Sequence, residues 1–386
     1  MSERFDVDLE VRRRTQGEKW QHYPPDVLPL WVADMDFGIA PAVRDALCEA
    51  LEIADFGYPR PPRETGIPEL FAARMAERFA WSVDPSLVEI LCEVVQGIYV
   101  ALLQFTEPGD GVLVQTPIYP PFLSAIRETG RRLVEAPLRD DGSGYRVDLD
   151  ASRAACDEGT KVLLLCNPHN PTGRVFDRAE LEGLAELALE RDLQVVSDEI
   201  HADLVYPGAV HRPFASLGPE ISGRTTTLYS ASKAFNIAGL RCAVAAFGAR
   251  AALRRFRELP HHVRGGLSQP GLVATRAAWE RGGPWLDEVL KILRGNRDFT
   301  VEEVSKRWPG ARVHRPEATY LAWVDTRPLR LQPSPYAHFL ERGRVAFSDG
   351  AHFGTPGEHF VRINFATSRA VIDEGIERAA RSLPSC

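Results

Sequence analysis

Between about residue 90 and residue 250 the chain alternates short apolar runs with amphipathic stretches, and this rhythm constrains the fold more than any other feature of the sequence. VLVQ (112–115), KVLLLC (161–166), QVVSD (194–198), TTTLYS (225–230) and AVAAF (243–247) read as buried strands. Among the intervening segments, DRAELEGLAELALER opens on Asp177 with Glu180 three residues later, and Leu181, Leu184, Leu187 and Ala188 recur at helical spacing. PAVRDALCEALEI, from Pro41, reads as a second amphipathic helix with proline in its first turn. The expectation is an α/β fold built on a mostly parallel sheet. Parallel strands deliver their C-terminal ends to one edge, which is where such sheets bind ligands.

After about residue 285 the character changes to a long charged stretch, then ATYLAWVD and a final amphipathic helix, as in a smaller α+β unit. The first 40 residues are rich in Pro, Trp and charge and too irregular to form a core alone. The expected division is an N-terminal arm and part of the small domain (1–45), a large domain (46–284) and a C-terminal small domain (285–386). A length of 386 with 44% hydrophobic residues is enough for a large core shared by two or three coupled units.

Fifty-three acids against 46 bases give a net charge of -7, which argues against a nucleic-acid surface. The run Arg12, Arg13, Arg14 reads as a solvated face, or else as a phosphate or partner contact. Six cysteines (48, 92, 156, 166, 242 and 386) show no CxxC and no metal-ligand spacing, so reduced thiols in a cytosol are expected. The start, MSERFDVDLE, has no apolar segment of the kind a signal peptide needs, and no run approaches the ~20 apolar residues of a membrane helix.

Three stretches end or follow an expected strand: CNPHNPTG (166–173), SDEIH (197–201) and SASK (230–233). Asn170, Asp198 and Lys233 can therefore meet in one crevice although they are far apart in sequence. Lys233 has no acid beside it, and the nearest charge in SASKAFNIAGLRCA is Arg241, eight positions on. It is either a surface lysine or a desolvated amine of lowered pKa, the requirement for a Schiff base. Asp198 either caps a helix or faces a cation such as a protonated pyridine nitrogen. NPHNPTG is a tight turn, and the Asn170 amide can also donate to a phenolate-like oxygen. Ser230, Ser232 and Arg241 offer a phosphate cup, completed by backbone amides after Gly97 in VVQGIYVALL, which reads as a turn opening a helix. Neither GxxxxGK[ST] nor GxGxxG occurs. An aldehyde held by lysine, a pyridinium facing aspartate, a phenolic oxygen facing asparagine and a phosphate facing serine and arginine together describe pyridoxal 5'-phosphate.

At these residues the chain resembles fold type I pyridoxal-phosphate enzymes of the class I/II aminotransferase superfamily, over nearly its whole length. LPLWVADMDFG (28–38), FGYPRPP (56–62), GGPWLDE (282–288) and VRINFATSR (361–369) are most similar to the MalY/PatB group of carbon–sulfur β-lyases, which includes cystathionine β-lyases. The resemblance implies the transferase fold of that superfamily, with a mostly parallel sheet of seven-stranded type and a smaller α+β domain. It implies a catalytic set of Lys233, Tyr58 and Tyr119, with Lys233 forming the Schiff base, Asp198 on the ring nitrogen, Asn170 on the ring oxygen and Tyr119 stacked on the ring. The phosphate would lie against Gly97, Ile98, Tyr99, Ser230, Ser232 and Arg241. Tyr58 would reach the neighbouring subunit's phosphate, implying a homodimer with shared sites. Arg362 would clamp the substrate carboxylate with backbone near Ala33, although an arginine there could equally bridge a surface acid.

The implied activity is α,β-elimination from L-cystathionine or related cysteine S-conjugates, giving a thiol, pyruvate and ammonia. His201 stands where many aminotransferases carry tyrosine, while Arg241 is the transaminase-like choice, so aminotransferase activity is the alternative reading. A regulatory, partner-binding protein is the second. The partners implied are a small amino-acid substrate and a second copy of the chain, with no nucleic acid and no membrane.

Overall fold

A computed structural model describes residue 5 and residues 7–384; Cys386 and most of the N-terminal stretch read for a leader lie outside them. The centre is a seven-stranded sheet: β1 (Val88–Leu91), β2 (Gly111–Val114), β3 (Arg132–Glu135), β4 (Thr160–Cys166), β5 (Gln194–Asp198), β6 (Thr225–Tyr229) and β7 (Ala243–Phe247). Their spatial order is β1-β7-β6-β5-β4-β2-β3, and only β7 runs antiparallel to its neighbours.

All five strands expected from the sequence are present to within a residue. The two not foreseen, β1 and β3, are the edges. They are only four residues long and carry Glu89, Arg132 and Glu135, because an edge strand bears charge that a central strand cannot. Glu89 is buried through an ion pair with Arg257.

The helices bearing on the site are α1 (Pro41–Glu52), α2 (Val94–Phe105), α3 (Pro120–Glu128), α4 (Arg178–Glu190), α5 (Gln269–Arg281), α6 (Gly283–Arg307) and α7 (Arg369–Ser382). The start of α4 is fixed by a capping box in which Asp177 and Glu180 each accept the other's backbone N–H. Among the described residues no helix is long and apolar enough to cross a membrane.

Toward the C-terminus, β8 (Arg312–Val313), β9 (Leu321–Asp325), β10 (Ser348–Asp349) and β11 (Phe360–Asn364) form an antiparallel sheet of order β8-β9-β11-β10. The long charged stretch is α6, a helix of 25 residues. The N-terminal segment joins this region, for Leu28–Pro29 pairs in parallel with Val345–Ala346. One hydrophobic cluster runs from Leu28 through Phe71 and Tyr229 to Trp308, Val345 and Ile376.

Residues 28–38 form a strap tied to both parts of the molecule. Asn364 donates through Nδ2 to the carbonyls of Val32 (2.6 Å) and Asp34 (2.7 Å), and Asn236 does the same to Met35 (3.1 Å) and Phe37 (2.9 Å). A buried Lys19–Asp36 pair at 2.9 Å adds a further tie.

Candidate active site

Register explains why distant residues meet. Cys166 at the end of β4 lies opposite Asp198 at the end of β5, and Asp198 lies opposite Leu228, so Ser230 and Lys233 emerge just beyond β6 at the same edge. There they line one cleft with Ala33, Tyr119, Asn170, His201 and Arg241.

The cleft holds charges without their usual partners. Burial pushes the Asp198 carboxyl up to about 7, and the Glu199 charge adds to the rise, against the Ile200 N–H that donates to Oδ1 at 3.0 Å and the charge of Lys233. Among the described residues no cation bonds its other oxygen. Burial likewise lowers the Lys233 ammonium; Arg362 lowers it further while Asp34 and Asp198 oppose. Its Nζ donates to the Ala33 carbonyl at 2.9 Å, an acceptor without formal charge. A neutral amine is the nucleophilic and proton-accepting form.

Arg362, in β11, is 4% exposed, and burial brings its guanidinium down to about 10. Nη1 donates to Asn170 Oδ1 (2.9 Å), and Nη2 donates to the Trp31 carbonyl (3.2 Å) and Ser348 Oγ (3.0 Å). All three acceptors are neutral, and the buried Nε has no partner. A buried guanidinium with no carboxylate is a site prepared for an anion. The bond from Arg362 also fixes Asn170: its oxygen is occupied, so the amide NH2 is the end left to donate.

His201 is fully neutral at ordinary pH, held down to about 3 by burial first and then by the charges of Lys233 and Arg362, and its Nδ1 is buried without a partner. Tyr119 caps α3 beside the cleft with its phenol pKa raised by burial.

The unmatched groups fit pyridoxal phosphate: Asp198 lacks a cation, Lys233 is a depressed amine, the Asn170 amide is free to donate, and amides at the start of α2 lack acceptors. Asp198 is testable through stability. The unfolded carboxyl loses its proton near 3.8, but the folded one keeps it to about 7. Its destabilising contribution is therefore absent at pH below 4, grows between 4 and 7, and is constant above. Cofactor-free Asp198→Asn should gain on the parent chain across that window by up to roughly 1.4 kcal/mol per pH unit in urea unfolding. A stability difference that ignored pH would contradict the assignment.

The cleft lining takes in part of the expected phosphate cup: Ser230, Ser232 and Arg241. Gly97, Ile98 and Tyr99 lie in the second turn of α2, which begins at Val94, and the Gly97 N–H already donates to the Glu93 carbonyl at 3.1 Å. Gly97 is there for packing: a Cβ on it would lie 2.7 Å from Leu91 Cδ1 and 3.0 Å from Leu228 Cδ2. Ile98 is wholly buried in the core, and the Tyr99 hydroxyl donates to Glu128. Of the first turn of α2, Val94 and Val95 line the cleft.

Ser230 lines the cleft, but its hydroxyl donates to the Cys242 carbonyl (2.6 Å) and accepts from Ser232 N–H (3.1 Å). The Ala33 carbonyl is likewise taken, by Lys233 and by the Tyr320 hydroxyl at 2.8 Å. Tyr58 is fully exposed on its own chain and lines a separate depression with Glu49, Arg60 and Arg276.

Sequence reasoning passed over Glu93, Tyr320, Ser348 and Asn364. Asn364 carried a signal, since it stands two residues after Arg362 on the same face of a strand. The others depend on contacts between distant segments.

Residues 26–378 match the family described as aminotransferase class I and II. The cystathionine beta-lyase of Corynebacterium glutamicum is 36% identical, covering 97% of this chain and 99% of its own. The cystathionine beta-lyase PatB of Bacillus subtilis is also 36% identical, with coverage of 97% and 98%. The crystal structure of cystalysin from Treponema denticola, which contains a pyridoxal 5'-phosphate cofactor, superimposes with a TM-score of 0.92 at 30% identity over 97% of this chain and 98% of that one. With its central sheet, its cleft at the strand ends and these likenesses over nearly the full length, the chain belongs to the aminotransferase class I and II family.

Proposed function

We propose that the protein is a pyridoxal-phosphate-dependent carbon–sulfur β-lyase acting on L-amino acids with a β-thioether, cystathionine among them. The observation that carries the chemistry is the depressed Lys233 amine in the same cleft as Asp198 and Asn170, with the buried Arg362 guanidinium bonded to Asn170. The full-length likeness to relatives named cystathionine beta-lyase favours elimination over amino transfer.

Lys233, Asp198, Asn170, Tyr119, Ser232, Arg241 and the Val94 and Val95 amides would hold the cofactor. When bound, pyridoxal phosphate supplies the electron sink that makes the substrate Cα–H acidic. Arg362 binds the α-carboxylate and so aims the Cα–H bond at Lys233. The Lys233 Nζ, whose ammonium form burial disfavours, takes the Cα proton as the free amine. The Cα–H electron pair becomes the Cα–Cβ double bond as the Cβ–S bond breaks, and sulfur leaves with the Cβ–S bonding pair and takes up a proton. One water then completes the balance to thiol, pyruvate and ammonia. Asp198, charged in the presence of a cationic partner, keeps the ring nitrogen protonated. His201, neutral throughout, adds no charge to the ring's surroundings.

The proposal includes a homodimer in which Tyr58 serves the partner's site, supported by its full exposure beside exposed Ile53 and Phe56. It also includes a division near residue 284, where α6 leads into the second sheet, with the arm joined to the C-terminal part through Leu28–Pro29. A cytosolic setting suits the free thiols Cys48, Cys92, Cys156, Cys166 and Cys242.

The test is incubation of the loaded protein with L-cystathionine and no keto acid, following thiol, pyruvate and ammonia together. Equimolar release of all three is expected. Amino transfer that begins only when a keto acid is added would replace this reading with an aminotransferase.

A further inference from the structure

Glu93 is the unexpected residue at the phosphate end of the cleft. It stands at the N-cap of α2 with an extended backbone, where a short Ser or Asp side chain would turn back onto the helix amides; the Glu93 side chain caps none of them. The first intrahelical bond runs from Gly97 N–H, so the N–H groups of Val94, Val95 and Gln96 have no helical acceptor. Val94 and Val95 face the cleft together with Glu93 and Arg241.

The Glu93 carboxylate pairs instead with Arg241. Arg241 takes a left-handed backbone at φ 55°, a conformation that a residue other than glycine keeps only where its surroundings demand it. Both side chains are about half exposed, 56% and 42%, so the pair contributes little to folding. The cup therefore contains one guanidinium, a helix N-terminus worth a fraction of a positive charge, and one opposing carboxylate.

We propose that Glu93 is a built-in competitor for the anion this cup receives. It occupies Arg241 while the cup is empty and repels a phosphate that enters. A free phosphate ion is then held weakly, whereas a phosphate tethered to a ring that Lys233, Asp198 and Asn170 also hold is retained, because its effective concentration at the cup is high. Glu93 thus keeps bare phosphate weakly held, while the complete cofactor stays bound through its contacts beyond the cup. The inference rests on the cofactor reading of the cleft and concerns this chain's own carboxylate.

Two binding measurements on the full chain test it. Pyridoxal phosphate affinity would be read from the absorbance of the bound cofactor on dilution, and inorganic phosphate affinity by calorimetry on the cofactor-free protein. Glu93→Gln, and Glu93→Ala as a second variant, should each bind inorganic phosphate about tenfold more tightly, and pyridoxal phosphate more tightly as well. Unchanged phosphate affinity in both variants would overturn the proposal. So would weaker binding, which would mean that Glu93 serves to hold Arg241 in place. A parent chain that took up no pyridoxal phosphate would defeat the cofactor reading itself, and that failure shows before any variant is compared.

Discussion

Lys233→Ala should lose turnover by roughly 10^4-fold, the upper end of what one positioned acid–base group contributes. The effect is large because one nitrogen does two jobs: it bonds the cofactor aldehyde and it carries the Cα proton. Burial supports both by lowering the ammonium. No substitute is at hand in the cleft. His201 is held neutral and faces Lys233 only as one more polar group, and Arg362 cannot act as a base. The variant should also lose the covalent-cofactor absorbance while retaining its fold, since Lys233 Nζ makes a single hydrogen bond. Mixing it with Tyr58→Ala extends the test to the dimer. If Tyr58 serves the partner's site, each mixed dimer has one intact site, and random mixing returns about a quarter of the parent activity. Turnover of Lys233→Ala at the parent rate would remove the assignment altogether.

Arg362→Met should lower kcat/KM by roughly 10^2- to 10^3-fold, within the ~2–5 kcal/mol for removing one partner of a buried charge pair. The loss should appear mainly in KM for α-carboxylate substrates. Arg362→Lys should recover little of it, because an ammonium cannot offer the paired N–H groups a carboxylate accepts. Arg362 also supports Asn170, Trp31 and Ser348, so a fall in KM-independent turnover or in thermal stability alone would point to a structural role. An unchanged KM would rule out the carboxylate clamp.

The central fold was legible because five strands are continuous apolar runs, and their ends carry Asn170, Asp198 and Lys233. The edges were not, since Glu89 and Arg132 interrupt the pattern there. The start of α2 was not legible: Gly97, read as the turn opening the helix, sits inside it, and the N-cap residue Glu93 is not one of the short polar residues that usually mark a helix start. The roles of Tyr320 and of the strap carbonyls follow from contacts between residues about 290 to 330 apart, which no local pattern encodes.

Gly97 has a further meaning. Because its bare Cα rests on Leu91 and Leu228, each 1% exposed, it works as a spacer of zero thickness between helix and sheet. The height of the start of α2 above the strand ends, and hence its span to Lys233, is measured out by the absence of a methyl group one turn away. A side chain at that position would lengthen the ruler against which the whole cleft is cut.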